Sequence, residues 1–287
     1  MVAFLLFSLG RVRIDDEYLF LPPTMKTIPC PFCGYGRAWK LRREKRKCQR
    51  CRHEFAPQRY PVAGFRVTEE EWHLCIATFL RERTIRRVTE EVGRSHCLVE
   101  RMLMHVRLCV FSVVPEQFVG PMEMDETYIG GQRKNKHLHI RRIQAKRGHG
   151  TDKLPIVGMF DRTTGQVFVV VEPKKLDMQF ITQIMTQHVT SGAEIYTDGY
   201  KMYRSLNRHG FRHAYVDHAD GEYARGDVHT NNIEGFWGIL KRKMSCIGGM
   251  QRQYLPLFVA EIVWKFNHRH LSLADQEKAL MTLVLDS

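Results

Sequence analysis

Three acidic residues and one lysine have the types and spacing to form a metal-dependent active site. Asp125 lies in the stretch MEMDETYIGG, Asp198 in AEIYTDG and Glu234 in HTNNIEGFWGILKR. Lys241 follows Glu234 by seven residues, almost two helical turns, so their side chains share one face of a helix. Gly238 lies between them on that face. A carboxylate, a gap and a cation in a row suit a metal ion beside a phosphodiester backbone.

Each acid also has an ordinary structural explanation when it is taken alone. Asp198 begins a turn dipeptide with glycine, and Asp125 could lie on the solvated face of an edge strand. Asn231 and Glu234 have the spacing of a capping box, in which side chains satisfy the free N–H groups of a helix start. The opposite side of that helix carries a core-facing stripe of Ile233, Trp237, Leu240 and Met244. The two interpretations of Glu234 are therefore compatible.

The elements that carry these acids are predicted from hydrophobic periodicity. Alternating and apolar runs predict strands at 122–131, 154–160, 166–172, 193–199 and 213–216, and helices at 176–190 and 229–246. Three antiparallel strands followed by strands reached through helices predict a mixed α/β sheet with helices on its faces. Asp125 is then on the first strand, Asp198 at the C-terminal end of the fourth, and Glu234 in the first turn of the last helix. Strand ends are where sites collect in open α/β sheets.

Four of the eight cysteines form two CxxC pairs with the spacing of a structural metal site. Fourteen residues separate the pairs, which matches the spacing of structural sites where four thiolates hold Zn²⁺ tetrahedrally. The segment 30–56 is too cationic to fold on a core of its own, so zinc would supply the folding energy. We predict a zinc ribbon whose ligands are Cys30, Cys33, Cys48 and Cys51. Two redox pairs are the alternative. The intervening RAWKLRREKRK, with Arg43 and Lys45, would present cations to DNA phosphates.

The segment 57–118 is predicted to be helical. Thr68 and Glu71 have capping-box form, a short helix covers 85–92, and a third helix begins near Ser95 after Gly93. Helix, short helix, glycine turn and helix are the outline of a helix-turn-helix, with Arg94, Arg101 and Arg107 on the third helix. A plain helical linker fits the same pattern.

The charge of the chain favours a polyanionic partner. The net charge is +13, and residues 37–52 hold nine Lys and Arg against one Glu. Residues 133–153 hold eight against one Asp, and Arg141, Arg142, Lys146 and Arg147 in this insert are predicted to clamp DNA. A floppy charged loop is the alternative for the insert. No run approaches the ~18 apolar residues of a membrane span, so no membrane partner is expected.

Taken in order, the motifs resemble a known family. DETYIGG, YTDGY and HTNNIEGFWGILKR, preceded by the CPFC and CQRC pairs, are similar to DDE transposases of bacterial insertion sequences, in particular the ISXO-like zinc-ribbon group and its eukaryotic Merlin relatives. The resemblance covers about residues 30–270. It implies an RNase H-like catalytic domain that binds two Mg²⁺ (or Mn²⁺) ions. It also implies that the enzyme cleaves the ends of its element and joins the 3′-OH to target DNA.

The resemblance also assigns site residues. Asp125, Asp198 and Glu234 become the acidic triad and Lys241 its basic companion. Some members of the group use an asparagine in place of the third acid, and Asn232 precedes Glu234 by two residues. The thirty-five residues between Asp198 and Glu234, and the face shared with Lys241, favour Glu234. The expected partners are the terminal inverted repeats, target DNA and further copies of the chain in a homo-oligomer on DNA.

Two other functions remain open at this stage. One is a domesticated, catalytically inactive zinc-ribbon DNA-binding protein, and the other is an RNase H-like hydrolase that cuts without joining strands. The expected domains are an N-terminal segment 1–29, the zinc ribbon 30–56, the helical segment 57–118 and the catalytic domain 119–287. The apolar start, MVAFLLFSLG, is predicted to be a strand or short helix packed on the body. The expected location is the cytoplasm and nucleoid of a bacterium, or the nucleus of a eukaryote.

Overall fold

The computed structural model of the protein describes residues 35, 37–41, 46–55, 64–113, 118–130, 153–171, 176–217, 224–247 and 251–287. These residues form two compact units, and each is described by itself. One unit lies between Phe111 and His270, and the other combines the residues up to Val110 with Leu271–Ser287. None of the helices in the described ranges is both long and apolar enough to cross a membrane.

The N-terminal part of the second unit is a small antiparallel sheet. Its three strands lie in the order β1-β2-β3 and are β1 Ala38–Lys40, β2 Arg46–Cys48 and β3 Glu54–Phe55. Cys48 ends β2 with its side chain fully buried. The backbone N–H groups of Arg50 and Cys51 donate to Cys48 Sγ at 3.3 and 3.5 Å. The chain therefore curls around this sulfur, with two backbone N–H groups directed at it.

Four helices make up the rest of this unit: α1 Glu69–Leu80, α2 Ile85–Val92, α3 His96–Ser112 and, from the end of the chain, α7 Leu273–Leu285. The predicted capping box at Thr68 and Glu71 is confirmed, as is the left-handed Gly93 that ends α2 with φ of 71°. Helix α7 packs against α1, where Glu277 Oε1 lies 3.0 Å from His73 Nδ1.

The arginines predicted for the third helix make contacts within this unit. Arg94 precedes α3, contrary to the prediction, because the helix begins only at His96. Its guanidinium donates to Glu71 at 2.6 Å. Arg101 and Arg107 do lie on α3, and their guanidinium carbons are 5.4 and 5.8 Å from the ring centres of Phe65 and Phe79. DNA contact by these helices stays a prediction.

The other unit is built on a five-stranded mixed sheet in the order β6-β5-β4-β7-β8. The strands are β4 Met122–Ile129, β5 Leu154–Asp161, β6 Val167–Val171, β7 Glu194–Asp198 and β8 Arg212–Val216. The first three pair antiparallel, whereas β7 and β8 run parallel to β4. This is the predicted RNase H-like sheet, and the predicted strands agree with the observed ones to within two residues at each end.

Helices cover both faces of this sheet, as predicted. The helix α4 Met178–His188 and the 3₁₀ helix Lys201–His209 lie on one face, and α5 Asn231–Cys246 and α6 Leu255–Asn267 lie on the other. Strand residues alternate between the two cores, so Met122 and Met124 face α4 while Ile156 and Phe160 face α5 and α6. By the same alternation, the odd-numbered residues of β4 point towards α5.

Candidate active site

Asp125 and Asp198 come together because their strands are neighbours in the sheet. The parallel strands β4 and β7 pair at Met122–Ile195 and Glu123–Tyr196. Each aspartate lies two residues past this second pair, so both stand at the same level towards the C-terminal ends of the strands. Their carboxylate oxygens, with one of Glu126, lie within 4.8 Å of one another. The structure therefore brings together two of the three acids that the sequence singled out, Asp125 and Asp198, with Glu126 as the third member of the group.

Helix α5 holds the Asp125 side chain. Trp237 Nε1 donates to Asp125 Oδ2 at 2.9 Å. The indole can reach this far because Gly158, which pairs with Asp125 on β5, carries no side chain. A Cβ at Gly158 would lie 2.4 Å from Trp237 Cη2 and 3.0 Å from Ile233 Cδ1. The predicted stripe of α5 is therefore buried on the sheet, and one of its members also contacts the site.

Glu126 reaches the acidic cluster from the other face of the sheet. The hydroxyl of Tyr203, a fully buried residue of the 3₁₀ helix, donates to Glu126 Oε2. Sequence reasoning assigned Glu126 no role. Its alternation with Asp125 along the strand places it on the opposite face of the sheet. The two side chains nevertheless converge beyond the last pair of β4 with β7, where both strands approach their ends.

Burial and mutual repulsion disfavour the charged forms of two of these acids. Burial, followed by the charge of Asp198, raises the pKa of Asp125 to about 7, although the Trp237 hydrogen bond opposes this rise. Burial also raises the pKa of Glu126 to about 7, with smaller contributions from the charges of Asp125 and Asp198. A divalent cation would offset the repulsion. The donors are all hard carboxylate oxygens, so the set fits Mg²⁺ or Mn²⁺ and does not fit a soft cation.

Glu234 is not among the carboxylate oxygens that lie within 4.8 Å of one another, but it is near enough for its charge to act on Asp125. It lies in the first turn of α5 with its side chain exposed, and its charge also raises the pKa of Asp125. The Thr230 hydroxyl donates to Glu234 Oε1 at 2.8 Å. Lys241 and Gly238 are exposed on the same helix, whereas Ile233, Trp237 and Leu240 are buried. The face that was predicted for Glu234 and Lys241 is thus open to solvent.

The predicted capping box of Asn231 and Glu234 is wrong. Asn231 is the first residue inside α5, so its side chain is one position too late to act as the cap. The N–H groups of Asn232 and Ile233 instead donate to Glu123 Oε2 at 2.8 and 3.0 Å. Asn232 Nδ2 donates to Glu123 Oε1 at 2.7 Å. A buried carboxylate from β4 therefore caps this helix.

Several predicted site residues fall outside the described part of the chain. These are the zinc ligands Cys30 and Cys33 and the predicted DNA contacts Arg43, Lys45, Arg141, Arg142, Lys146 and Arg147. Of the predicted zinc ligands, Cys48 and Cys51 are described and lie side by side at the β2 turn. The chain leaves the sheet after Ile129 on β4, four residues beyond Asp125. It re-enters the sheet at Leu154 on β5, which pairs with Ile129.

Comparison with known families identifies the chain. The sequence pattern of the ISXO2-like transposase domain matches residues 117–267, which span the sheet and helices α4 to α6. The chain belongs to the ISXO2-like transposase family. The matched range contains all three acids, Lys241 and Asn232.

Two curated relatives of this ISXO2-like transposase carry names of the same kind. An uncharacterized protein in transposable element ISH50 of Halobacterium salinarum is 29% identical over 222 residues, which cover 74% of each chain. An uncharacterized transposase-like protein of Haemophilus influenzae is 26% identical over 106 residues, covering 37% of this chain and 85% of its own. A solved intasome of simian T-cell lymphotropic virus with PP2A regulatory subunit B56 gamma aligns at 13% identity over 66% of each chain, with a TM-score of 0.31.

Three residues at the site of this transposase were missed as functional candidates: Glu123, Glu126 and Trp237. Trp237 looked like an ordinary core residue, because its position in the apolar stripe accounts for its burial. Glu123 offered a signal that was not used. It stands two residues before Asp125, so a strand places the two on one face, and that face is packed under a helix.

Proposed function

We propose that the protein is a DNA transposase that cleaves the ends of its element and joins the 3′-OH to target DNA by two-metal phosphoryl transfer. The observation that carries this proposal is the meeting of Asp125 and Asp198, from two neighbouring parallel strands, within 4.8 Å and beside Glu234. Family membership supports this class of reaction, and the geometry supports Asp125, Asp198 and Glu234 as the residues that would perform it.

In this proposal Asp125, Asp198 and Glu234 hold the divalent cations, with Glu126 close enough to contribute an oxygen. When bound, Mg²⁺ or Mn²⁺ would activate the attacking oxygen and stabilise the leaving one in an in-line displacement. The protein orients these ligands: Trp237 fixes Asp125 and the Thr230 hydroxyl holds one oxygen of Glu234. Held ligands lose little freedom when a cation binds, which favours binding.

We assign the third acid to Glu234 and not to Asn232. Glu234 is exposed towards solvent on the side of α5 that also presents Lys241, whereas the Asn232 amide donates to the buried Glu123. Gly238 leaves that side without bulk, since a Cβ there would meet no atom within 4 Å. A phosphodiester could therefore approach between the carboxylate and the Lys241 ammonium, which would bind it as a point charge.

The remaining contacts to DNA are proposed for the cationic segments. We propose a structural Zn²⁺ at Cys30, Cys33, Cys48 and Cys51, supported by the two N–H groups that point at Cys48 Sγ. Arg43 and Lys45 would then lie on the ribbon. We also propose that Arg141, Arg142, Lys146 and Arg147 clamp phosphates near the acids, because their insert leaves the sheet from the strand that carries Asp125. Further copies of the chain would form a homo-oligomer on the terminal inverted repeats of the element.

Strand transfer with purified protein tests the proposal. The substrate is a duplex ending in the inverted repeat found in the DNA beside the gene, incubated with target DNA and Mg²⁺. Asp125→Asn, Asp198→Asn and Glu234→Gln should each abolish cleavage and joining while binding to the duplex stays near that of the unchanged protein. Glu194→Gln is the matched control, because Glu194 begins the strand that Asp198 ends and should be dispensable.

Three results would count against the proposal. If the unchanged protein binds the duplex but cuts nothing, it is a DNA-binding protein without catalysis. If it cuts but never joins, it is a hydrolase. If the Glu234 variant is active while Asn232→Ala is not, the third ligand is Asn232.

A further inference from the structure

Glu123 is a fully buried carboxylate that the proposed reaction does not use. It lies on β4 with an exposed fraction of 0% and accepts four hydrogen bonds from two other segments. Three donors belong to the first turn of α5, and the fourth is Arg162 Nε at 2.7 Å. His229 Nδ1 lies 3.3 Å from the same carboxylate. A buried carboxylate is tolerated only with such partners, so these hydrogen bonds fix Glu123 against the first turn of α5 and Arg162.

Arg162 connects Glu123 to the loop that leads into α5. Its Nη1 donates to the backbone oxygen of Asp227 at 2.6 Å, and its Nη2 donates to that of His229 at 2.9 Å. The guanidinium also lies 4.5 Å from the ring centre of Tyr196 on β7. A single side chain from the end of β5 therefore ties β4, β7 and the start of α5 together.

The position of this ion pair links it to the acids. Glu123 and Asp125 are alternate residues of β4, so their side chains leave the same face about 7 Å apart. Asn232 and Glu234 are likewise two residues apart, in the first turn of α5. Any movement of this turn away from Glu123 would carry Glu234 with it. The distance between Glu234 and the two aspartates therefore depends on how firmly Glu123 holds the helix.

We propose that Glu123 and Arg162 are positioning residues, which clamp the first turn of α5 to the sheet and thereby set Glu234 beside Asp125 and Asp198. This inference rests on the proposed function of the three acids. It also gives Asn232 a role: its amide is part of the clamp and is not a ligand of the cation. Residues that orient ligands in this way typically change metal affinity or activity by about 10- to 100-fold when they are altered.

The test measures cation binding without any reaction. Tb³⁺ takes oxygen ligands, and its luminescence is excited by energy transfer from a nearby indole, which Trp237 provides next to Asp125. Trp237→Phe identifies the part of the signal that comes from this site. Affinity for Tb³⁺ and competition by Mg²⁺ are measured with the full chain, together with thermal unfolding and cleavage of the duplex end.

Glu123→Gln should weaken Tb³⁺ binding and cleavage by about tenfold or more. In this variant the NH₂ group of the new amide faces N–H donors that bond to a carboxylate oxygen in the unchanged protein. The first turn of α5 should therefore no longer pack against β4. Asn232→Asp should weaken both by a similar factor, because it sets a second carboxylate against Glu123. In the double variant the new amide can donate to the new carboxylate. Both properties should then recover by about threefold or more over either single variant. The recovery stays incomplete because Arg162 Nε donates to the same Glu123 oxygen as the Asn232 amide and still faces the new amide.

The opposite outcomes would overturn the inference. Asn232→Asp would tighten Tb³⁺ binding if residue 232 were itself a ligand, because a carboxylate binds a hard cation better than an amide does. This variant changes an exposed residue, so it stays informative even if Glu123→Gln does not fold. Unchanged Tb³⁺ affinity in a folded Glu123→Gln protein would also refute the clamp.

Asp125→Asn separates this failure from that of the proposed function. If Asp125→Asn removes Tb³⁺ binding while Glu123→Gln does not, only the clamp is wrong. If Asp125→Asn leaves both binding and cleavage intact, the proposed active site is wrong and the clamp falls with it.

Discussion

Replacing Trp237 with phenylalanine should weaken divalent cation binding at neutral pH by changing the ionisation of Asp125. The indole Nε1 donates to Asp125 Oδ2 at 2.9 Å, and this bond favours the charged carboxylate. Phenylalanine keeps most of the apolar ring over Gly158 and removes the donor. The variant therefore separates the hydrogen bond from the packing of the helix.

The size of the effect follows from the strength of the bond. A hydrogen bond to a charged group contributes about 1.5–3 kcal/mol, and about 1.36 kcal/mol corresponds to a change of one in pKa. The pKa of Asp125 is about 7 before the change, so that of the variant should be roughly 8 to 9. At pH 7 about half of Asp125 is ionised in the unchanged protein, and roughly one tenth or less would be ionised in the variant. Since only the carboxylate binds the cation, apparent affinity should fall by about 5- to 50-fold at pH 7.

The assay is the Mg²⁺ concentration needed for half-maximal cleavage, measured from pH 6 to pH 9.5. The variant's curve should be displaced to higher pH and should rejoin that of the unchanged protein at the alkaline end. Trp264→Phe is the control, because Trp264 is a buried indole of α6 in the same unit and stacks on His268 at 4.0 Å. A Trp237→Phe protein with the pH dependence of the control would refute the reasoning.

Four further predictions concern packing, pH, zinc and DNA. Gly158→Ala should lower the free energy of unfolding in urea by about 1–3 kcal/mol, because its Cβ would overlap the Trp237 ring. Gly238→Ala, whose Cβ meets open space, should leave this free energy unchanged or raise it by about 0.5–1 kcal/mol. An equal loss of unfolding free energy in both variants would contradict the packing of Trp237 on Gly158. Asp125 and Glu126 have pKa values raised to about 7, so the folded state binds more protons than the unfolded one between about pH 4 and 7. Without divalent cations the melting temperature should therefore fall as the pH rises through this window, and Mg²⁺ should restore it at pH 8 but not at pH 5. A fall of the same size in Asp125→Asn would refute the assignment. Elemental analysis should find one zinc in the unchanged protein and none in Cys48→Ser, and an unchanged zinc content in the variant would show that the ribbon does not bind zinc there. Replacing Arg141, Arg142, Lys146 and Arg147 with alanine should reduce the log–log slope of duplex binding against salt concentration by about two or more. An unchanged slope would show that the basic insert does not bind DNA phosphates.

The sheet could be predicted because its signals are local. The turn DRTTG fixes the hairpin of β5 and β6, and the helices between later strands require parallel crossovers. The local signals do not decide which strand β7 pairs with. The structure places it beside β4, and neighbouring parallel strands bring Asp125 and Asp198 to one end.

The capping of α5 was not predictable from local spacing. Asn231 and Glu234 have the form of a capping box, and nothing nearby contradicts it. The actual cap, Glu123, is 109 residues away from Asn232 and is visible only when β4 and α5 are packed together. The Trp237 bond to Asp125 is similar, since it depends on the missing side chain of Gly158 on a third element. Contacts among three segments leave no periodic signal in any one of them.

The end of the chain shows the same limit. Helix α7 has an ordinary Ser272 cap and an apolar face, so the sequence indicates a helix but not its partner. The structure packs it against α1, in the unit formed by the N-terminal helices. The contact includes the His73–Glu277 pair, which joins residues 204 positions apart and leaves no signal within α7 itself.

A change of metal specificity tests the central claim most directly. Asp198→Cys replaces one proposed cation ligand with a thiolate, which Mg²⁺ binds poorly and softer Mn²⁺ accepts. Cleavage and joining of the element end by this variant should be lost in Mg²⁺ and recovered in part in Mn²⁺. Glu194→Cys at the other end of the same strand should remain active in both metals. Equal activity of Asp198→Cys in Mg²⁺ and Mn²⁺ would show that Asp198 does not hold a catalytic cation.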